Sequence, residues 1–459
     1  MTRRSYKGTA AQLLLLLLFC LLAMATSGHA ATVEVVSSSG FRVWLVEDHR
    51  SPVLTLGFRF AGGSAEDPIG KDGLAQTTAE MFFQGGGDLG ADDYLQHWSE
   101  IGTEINIEAR MESIRGSVRV LTPDRDKAME LLALAIHAPR FDEGSLKQIR
   151  EQIRAEIDRD ATDPESRAYR AYDQLAYAGH PRARPVVGTR SGIAAIQAAD
   201  IVQYRRHVMV RDRLSLAAVG DITPAELAGL VDRVFAALPA HGQTASPIDP
   251  ASTSAKRSDL MLASNQAEVV FGLALPGLSE RERLAAELIN YTLGGSAFTS
   301  RLYHEVREKR GLAYSIGTSL DSYSFMAELS GSFDAAPATV EEAIGLVRQE
   351  FAALATRPPT DAEIDEAKAA LAGQYLRGLI RQADMANELT LRMSQGQRPD
   401  VIETYAGRLA ELSAAEVREL AKRIPWLDRL VVVTVGAPAS TVDQDTKRSR
   451  LHPPPAQEP

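Results

Sequence analysis

From Val33 onward, apolar and polar residues alternate as they do in strands: VEVV at 33–36, FRVWLVE at 41–47 and PVLTLGFRFAGG at 52–63. Side chains in a strand point to opposite faces in turn, so this period marks sheet segments with one or both faces covered. The period then changes. Leu74, Thr78, Met81 and Phe82 recur at helical spacing, Asp72 is placed to cap the helix, and Gly85-Gly86-Gly87 ends it. A second helix over Asp92–Ile101 stops at Gly102, and TEINIEA and SIRGSVRVL then predict a hairpin. Pro123 opens a helix through Ala138, and Ser145 caps another running to about Arg159. Further helical segments lead to a buried strand at Arg213–Asp221 and a helix around Ala225–Leu238.

The plan then repeats. AEVVFGLALPG matches LTLGFRFAGG as a strand, and LAAELINYTLGG matches LAQTTAEMFFQGG as a helix ending in paired glycines. LYHEVREKRG precedes the strands LAYSIGTSL and FMAELSGSF, helices follow at Ala338–Leu354 and Thr360–Gly378, and RLVVVTVG mirrors RLSLAAVG. Element-by-element matching of this kind predicts an α+β protein of two homologous domains, each a mostly antiparallel sheet with packed helices. The domains are expected at 31–238 and 259–440, joined by a linker at 239–258 rich in Pro, Ser, Ala and Thr and followed by a disordered tail at 441–459.

The first thirty residues change the expected compartment. Arg3, Arg4 and Lys7 precede an unbroken apolar run from Leu13 to Leu22, and small residues end at Ala30. This is the layout of a cleaved bacterial signal peptide at 1–30, so the mature chain is expected in the periplasm without a stable membrane anchor. The general secretory and twin-arginine routes both remain open. Cys20, the single cysteine, lies inside that segment, which leaves the mature chain no disulfide or thiol chemistry. Cleavage removes three positive charges and no acids, taking the formal charge from −10 to −13. An acidic surface argues against nucleic acid as a partner.

On the helix at 74, Gln76, Ala79 and Glu80 share a side. Two histidines four apart with a glutamate before the second would make a zinc site with a general base at this spacing. An amide and a methyl group do neither job, so zinc catalysis from this helix is not expected. The histidines at 49, 97, 137, 180, 207, 241, 304 and 452 are scattered, and no two lie within one helical turn. The glycine clusters lack any phosphate-loop signature and read as helix stops.

GLAQTTAEMFFQGG in the first half and LGGSAFTSRLYHEVREKRGLAYSI in the second resemble the insulinase, pitrilysin and mitochondrial processing peptidase family of zinc peptidases (M16). The resemblance spans nearly the whole mature chain and implies the M16 metallopeptidase (LuxS-like) fold. In active members the helix reads HxxEH. The matching positions here are Gln76, Ala79 and Glu80, and all three depart from the pattern. A further glutamate ligand on a later helix would fall near Gln148, or at Glu151 after a small register shift. The second motif is intact: the resemblance assigns substrate contact to Arg307 and Tyr314, seven residues apart. It implies a non-catalytic subunit, holding no metal of its own, of a heterodimeric peptidase whose HxxEH-bearing partner carries zinc and which acts on peptides. The alternative is an inactive M16-like scaffold or binding protein with no peptidase partner.

Overall fold

A computed structural model describes residues 31–243, 247–262 and 264–436; the segments read as signal peptide (1–30) and tail (441–459) lie outside the described residues. Two sheets form the frame. The first has six strands, β1 (Val33–Val36), β2 (Arg42–Glu47), β3 (Val53–Ala61), β4 (Glu104–Ala109), β5 (Ser113–Leu121) and β6 (Leu214–Gly220), in the order β1-β2-β6-β3-β5-β4. The second has five, β7 (Lys256–Leu260), β8 (Ala267–Pro276), β9 (Ala313–Ser322), β10 (Met326–Ala335) and β11 (Val431–Val435), in the order β7-β11-β8-β10-β9. Each is antiparallel except for a single parallel pair, β2 with β6 and β7 with β11. The strands with the longest apolar runs, β3 and β8, sit inside their sheets and are covered on both faces, which is why their sequences barely alternate.

Helices supply the cover. In the first half these are α1 (Leu74–Met81), α2 (Ala91–Glu100), α3 (Arg125–His137), α4 (Glu143–Asp160), α5 (Pro164–Ala176), α6 (Arg190–Ala195), α7 (Ala198–Val208) and α8 (Pro224–Phe235). In the second they are α9 (Glu280–Asn290), α10 (Val340–Thr356), α11 (Asp361–Gly378), α12 (Gln382–Ser394), α13 (Val401–Ala410), α14 (Ala414–Arg423) and α15 (Trp426–Arg429). Leu54, Leu56, Phe58 and Phe60 of β3 pack on one face into a core shared with α1, α3, α4, α7 and α8.

The opposite faces are covered by exchange. Ala386 and Leu389 of α12, with Val401 and Ile402, lie on Trp44, Val46, Ala217 and Val219 of the first sheet. Conversely, Ala168, Tyr172 and Ala176 of α5 lie on Val270, Ala274, Val431, Val433 and Val435 of the second. Glycines at matching places in the two copies of the strand seat these helices. A Cβ at Gly57 would stand 3.0 Å from the Cβ of Ala386, and one at Gly272 would stand 2.5 Å from the Tyr172 hydroxyl. Polar bonds fix the same junction: Glu328, fully buried, accepts from the Tyr177 hydroxyl (2.8 Å) and from Arg182 (3.0 Å), and Arg182 also pairs with Asp173 (2.8 Å). Burying these charges is tolerable because each has an opposite partner.

Local details depart from the sequence reading at element ends. Helix α4 starts at Glu143 with Asp142 at its N-cap position, so Ser145 lies inside the first turn. Pro123 belongs to a tight turn that feeds α3, and LYHEVREKR winds as a wider π-helical turn over Tyr303–Glu308. Strand β7 begins at Lys256, within the segment read as linker, because its register is set by β11 and not by any pattern of its own.

Candidate functional site

Helix α1 begins where Gly73 adopts φ +99°, a conformation that favours glycine. Its N-terminus is held by a residue the sequence did not flag: the buried carboxylate of Asp67 accepts from the backbone N–H groups of Gly73 (2.7 Å), Leu74 (3.2 Å) and Ala75 (2.9 Å). Asp72, the expected cap, pairs with Arg184 at 2.6 Å instead. Burial pushes the Asp67 carboxyl up to about 7, against the pull of the three N–H donors and of Arg184.

Of the three positions on the shared side of α1, Ala79 is sunk in the core and offers only a methyl group. Gln76 donates its amide to Glu80 at 3.1 Å. Burial raises the Glu80 pKa, Glu156 on α4 raises it further, and the Gln76 hydrogen bond opposes both. The α4 carboxylate that acts on this helix is therefore Glu156. Gln148 and Glu151 are both exposed, and Glu151 pairs with Arg154 at 3.2 Å. One amide, two carboxylates and a methyl contain no imidazole and no general base at the water-activating position, so the set does not fit catalytic zinc. Among the described residues no group of three His, Cys, Asp or Glu side chains is placed to hold a metal ion.

The second set is built on the π-helical turn and the start of β9. The Arg307 guanidinium lies between two tyrosines, with its central carbon 5.0 Å from the Tyr303 ring centre and 5.3 Å from that of Tyr314. It also donates to the Tyr303 hydroxyl at 2.8 Å. Phe298 meets Tyr303 edge-on, with ring centres 5.6 Å apart. Stacking of this kind attracts a cation to the ring faces and holds the guanidinium fork in one orientation. Tyr314 is 78% exposed and Phe298 72%. Around Arg307 the other charges are spoken for: Arg301 pairs with Glu363, His304 with Glu308, and Lys309 and Arg310 with Glu305. No carboxylate pairs with Arg307 among the described residues. A fixed guanidinium beside an exposed phenol is suited to a peptide carbonyl or carboxylate. Tyr303 and Phe298 escaped the sequence reading, although Tyr303, four residues before Arg307, is at the helical spacing that would have found it.

The two sets occupy corresponding places in the two halves. Helix α1 packs against β4, the edge strand of the first sheet, and the turn carrying Arg307 packs against β9, the edge strand of the second. The structure does not bring them together. A cavity of 1950 Å³ lies between the halves, and none of Gln76, Ala79, Glu80, Arg307 and Tyr314 lines it.

Comparison with known proteins agrees with this geometry. Residues 42–190 match the family model "Insulinase (Peptidase family M16)", and residues 195–371 match "Peptidase M16 inactive domain". An uncharacterized zinc protease of Mycobacterium leprae is 26% identical over 361 residues, covering 76% of this chain and 79% of that protein. The non-peptidase homolog YmxG of Helicobacter pylori is 24% identical over 350 residues, covering 76% of this chain and 81% of that protein. The crystal structure of a peptidase M16 inactive domain from Pseudomonas fluorescens superposes with a TM-score of 0.83 at 25% identity, over 88% of this chain and 98% of that one. With two matched models that together span most of the chain, and an α1 helix stripped of its zinc ligands, this protein belongs to the insulinase (M16) peptidase family as an inactive-type member.

Proposed function

We propose that this chain is the non-catalytic, peptide-holding subunit of an exported, periplasmic peptidase, paired as a heterodimer with a second M16 chain that carries HxxEH and zinc. Arg307 would hold a carbonyl or carboxylate of the substrate, and the Tyr314 phenol would hydrogen-bond the oxyanion that develops at the partner's zinc. The observation that carries the reading is Arg307 itself, oriented by two tyrosines and left without a carboxylate on a segment where the neighbouring cations are paired. Strand β9 adds to it. As an edge strand, with half of its residues exposed, it leaves backbone groups available for an extended peptide to pair beside Tyr314.

The test is cleavage of a quenched fluorescent peptide library by this chain alone, by its HxxEH-bearing homologue alone, and by the mixture. Activity should appear with the mixture and fall by about 10²–10³-fold for Tyr314→Phe or Arg307→Ala, the usual cost of losing one oxyanion or positioning donor. Undiminished cleavage by the pair carrying both substitutions would sink the assignment. The second reading, a scaffold without a peptidase partner, draws on the relative named a non-peptidase homolog, and silence in every mixture would favour it.

A further inference from the structure

The interdomain cavity contains a charge that nothing described so far uses. Arg59 lies on β3 two residues beyond Gly57, on the face turned toward α12, and lines the cavity while only 6% exposed. Among the described residues its guanidinium makes a single hydrogen bond, to the Ser113 hydroxyl at 2.6 Å. Its Nε, also buried, has no partner, and no carboxylate forms an ion pair with it among the described residues. The surroundings add to the excess. Arg115 stands directly opposite Arg59 on β5, a register in which like charges repel. The carboxylates that act on Arg59 from a distance are Glu388 and Glu108, and both are engaged elsewhere. Glu388 is held by Arg392 (2.7 Å) and the Tyr375 hydroxyl (2.9 Å), and Glu108 by Arg110 (2.8 Å) and Arg115. Four guanidinium groups thus share two carboxylates. Burial together with the repulsion from Arg115 and Arg110 pulls the Arg59 pKa down to about 10. Across the cavity Arg283 also lacks an acid partner among the described residues and donates only to the carbonyls of Tyr323 (3.2 Å) and Met326 (3.3 Å).

We propose that Arg59, with Ser113 beside it, anchors an anion-binding site in the interdomain cavity that takes the oxyanion group, carboxylate or phosphate, of a ligand. Arg59 lines the cavity and gives one of its five N–H donors to Ser113, so its Nη groups keep donors for an oxygen of either group. The cavity volume of 1950 Å³ is larger than a pocket for one small metabolite, and it leaves room for a short acidic peptide as well as a phosphate-bearing molecule. The site is separate from Arg307 and Tyr314, so its fate does not depend on theirs.

The experiment is calorimetric titration of the purified full chain with inorganic phosphate and, separately, with triglutamate, triglutamine being the neutral control. Wild-type protein should bind at least one anionic probe saturably, and Arg59→Met should weaken that binding by roughly ten- to a hundredfold, the worth of a charge-assisted hydrogen bond or two. Ser113→Ala should weaken it less, and Arg50→Gln, at an exposed position outside the cavity, should leave it unchanged. The unliganded Arg59→Met protein should melt at or above the wild-type temperature, because an unpaired buried charge has been removed. Phosphate binding alone would assign a phosphate-bearing ligand, and triglutamate binding alone an acidic peptide. The proposal fails if neither probe binds saturably, if Arg59→Met binds as wild type does, or if that variant melts lower or does not fold, since Arg59 would then be a structural residue.

Discussion

The exchange of α5 and α12 makes a quantitative prediction at the two glycines that seat them. A methyl group at Gly272 would stand 2.5 Å from the Tyr172 hydroxyl, 2.7 Å from the Leu329 carbonyl oxygen and 2.9 Å from the Ser330 Cα. Two of these neighbours are backbone of β10, locked in register with β8, and Tyr172 is itself 1% exposed, so neither side has room to yield. Overpacking of this kind costs about 1–3 kcal/mol, and clashes on two sides place Gly272→Ala toward the upper end. Relief of the glycine's backbone entropy returns roughly 0.5–1 kcal/mol, leaving a net loss of about 2 kcal/mol. At Gly57 the nearest atoms are the Ala386 Cβ at 3.0 Å and its carbonyl oxygen at 3.2 Å, a tighter fit than usual but one that a shift of a few tenths of an ångström in α12 relieves. Gly57→Ala should therefore be close to neutral. Gly345→Ala, on the exposed side of α10 with nothing within 4 Å of its new methyl, should gain about 0.5–1 kcal/mol. Urea unfolding followed by circular dichroism measures all three. If Gly272→Ala were within about 0.5 kcal/mol of wild type, the usual scatter of inert surface changes, α5 would not be seated on the second sheet as described.

Other residues give shorter tests. Asp67→Ala strips the buried N–H groups at the start of α1 of their acceptor and should destabilise the chain by about 2–3 kcal/mol, more than an ordinary cap, as read by thermal or urea unfolding. The Asp67 carboxyl keeps its proton to about pH 7 in the folded chain, whereas an unfolded aspartate releases it near about 4. The folded state thus binds more protons in that window, so the contribution of Asp67 to stability declines as pH rises from about 4 to about 7, and Asp67→Asn should flatten that part of the profile. Glu156→Gln removes the charge that helps raise Glu80, so the Glu80 titration followed by NMR should move down. In the mixed peptidase assay Tyr303→Phe, which loses the hydroxyl that orients Arg307 but keeps the ring, should fall between wild type and Arg307→Ala.

Much of the frame was legible because the strands carry their own pattern. LTLGFRF and VVFGLAL announce a buried strand twice, and the repeat of order around them predicts the two mostly antiparallel sheets. The absence of imidazoles at Gln76 and Glu80 was legible from residue types, whereas Arg307 and Tyr314 were singled out by the family resemblance alone, and the structure stacks those two side chains. What stayed hidden depends on how elements meet. On α4 the positions Gln148, Glu151, Gln152 and Glu156 all recur at helical spacing, and only the way α4 lies against α1 selects Glu156. Asp67 reaches the start of α1 through a loop, whereas Asp72 beside it is drawn off by Arg184, more than a hundred residues away. The amphipathic face of α12 says that it packs, but the sheet it covers belongs to the other half.

That reciprocal cover also constrains the order in which the chain can be made. When ribosomal synthesis has passed β6, the face of the first sheet formed by Trp44, Val46, Ala217 and Val219 has no lid until residues 382–394 emerge. Helix α5 is finished early, yet the surface that receives it includes β11, which is inserted between β7 and β8 and ends at Val435. A nascent chain therefore carries both open apolar surfaces together from Gly220 until Gln382 is made, and the docking of the two halves waits for the C-terminal elements. Termination before Val431 leaves the second sheet without β11 and α5 without part of the surface that receives it, an uncovered apolar face of the kind that makes incomplete chains prone to aggregate.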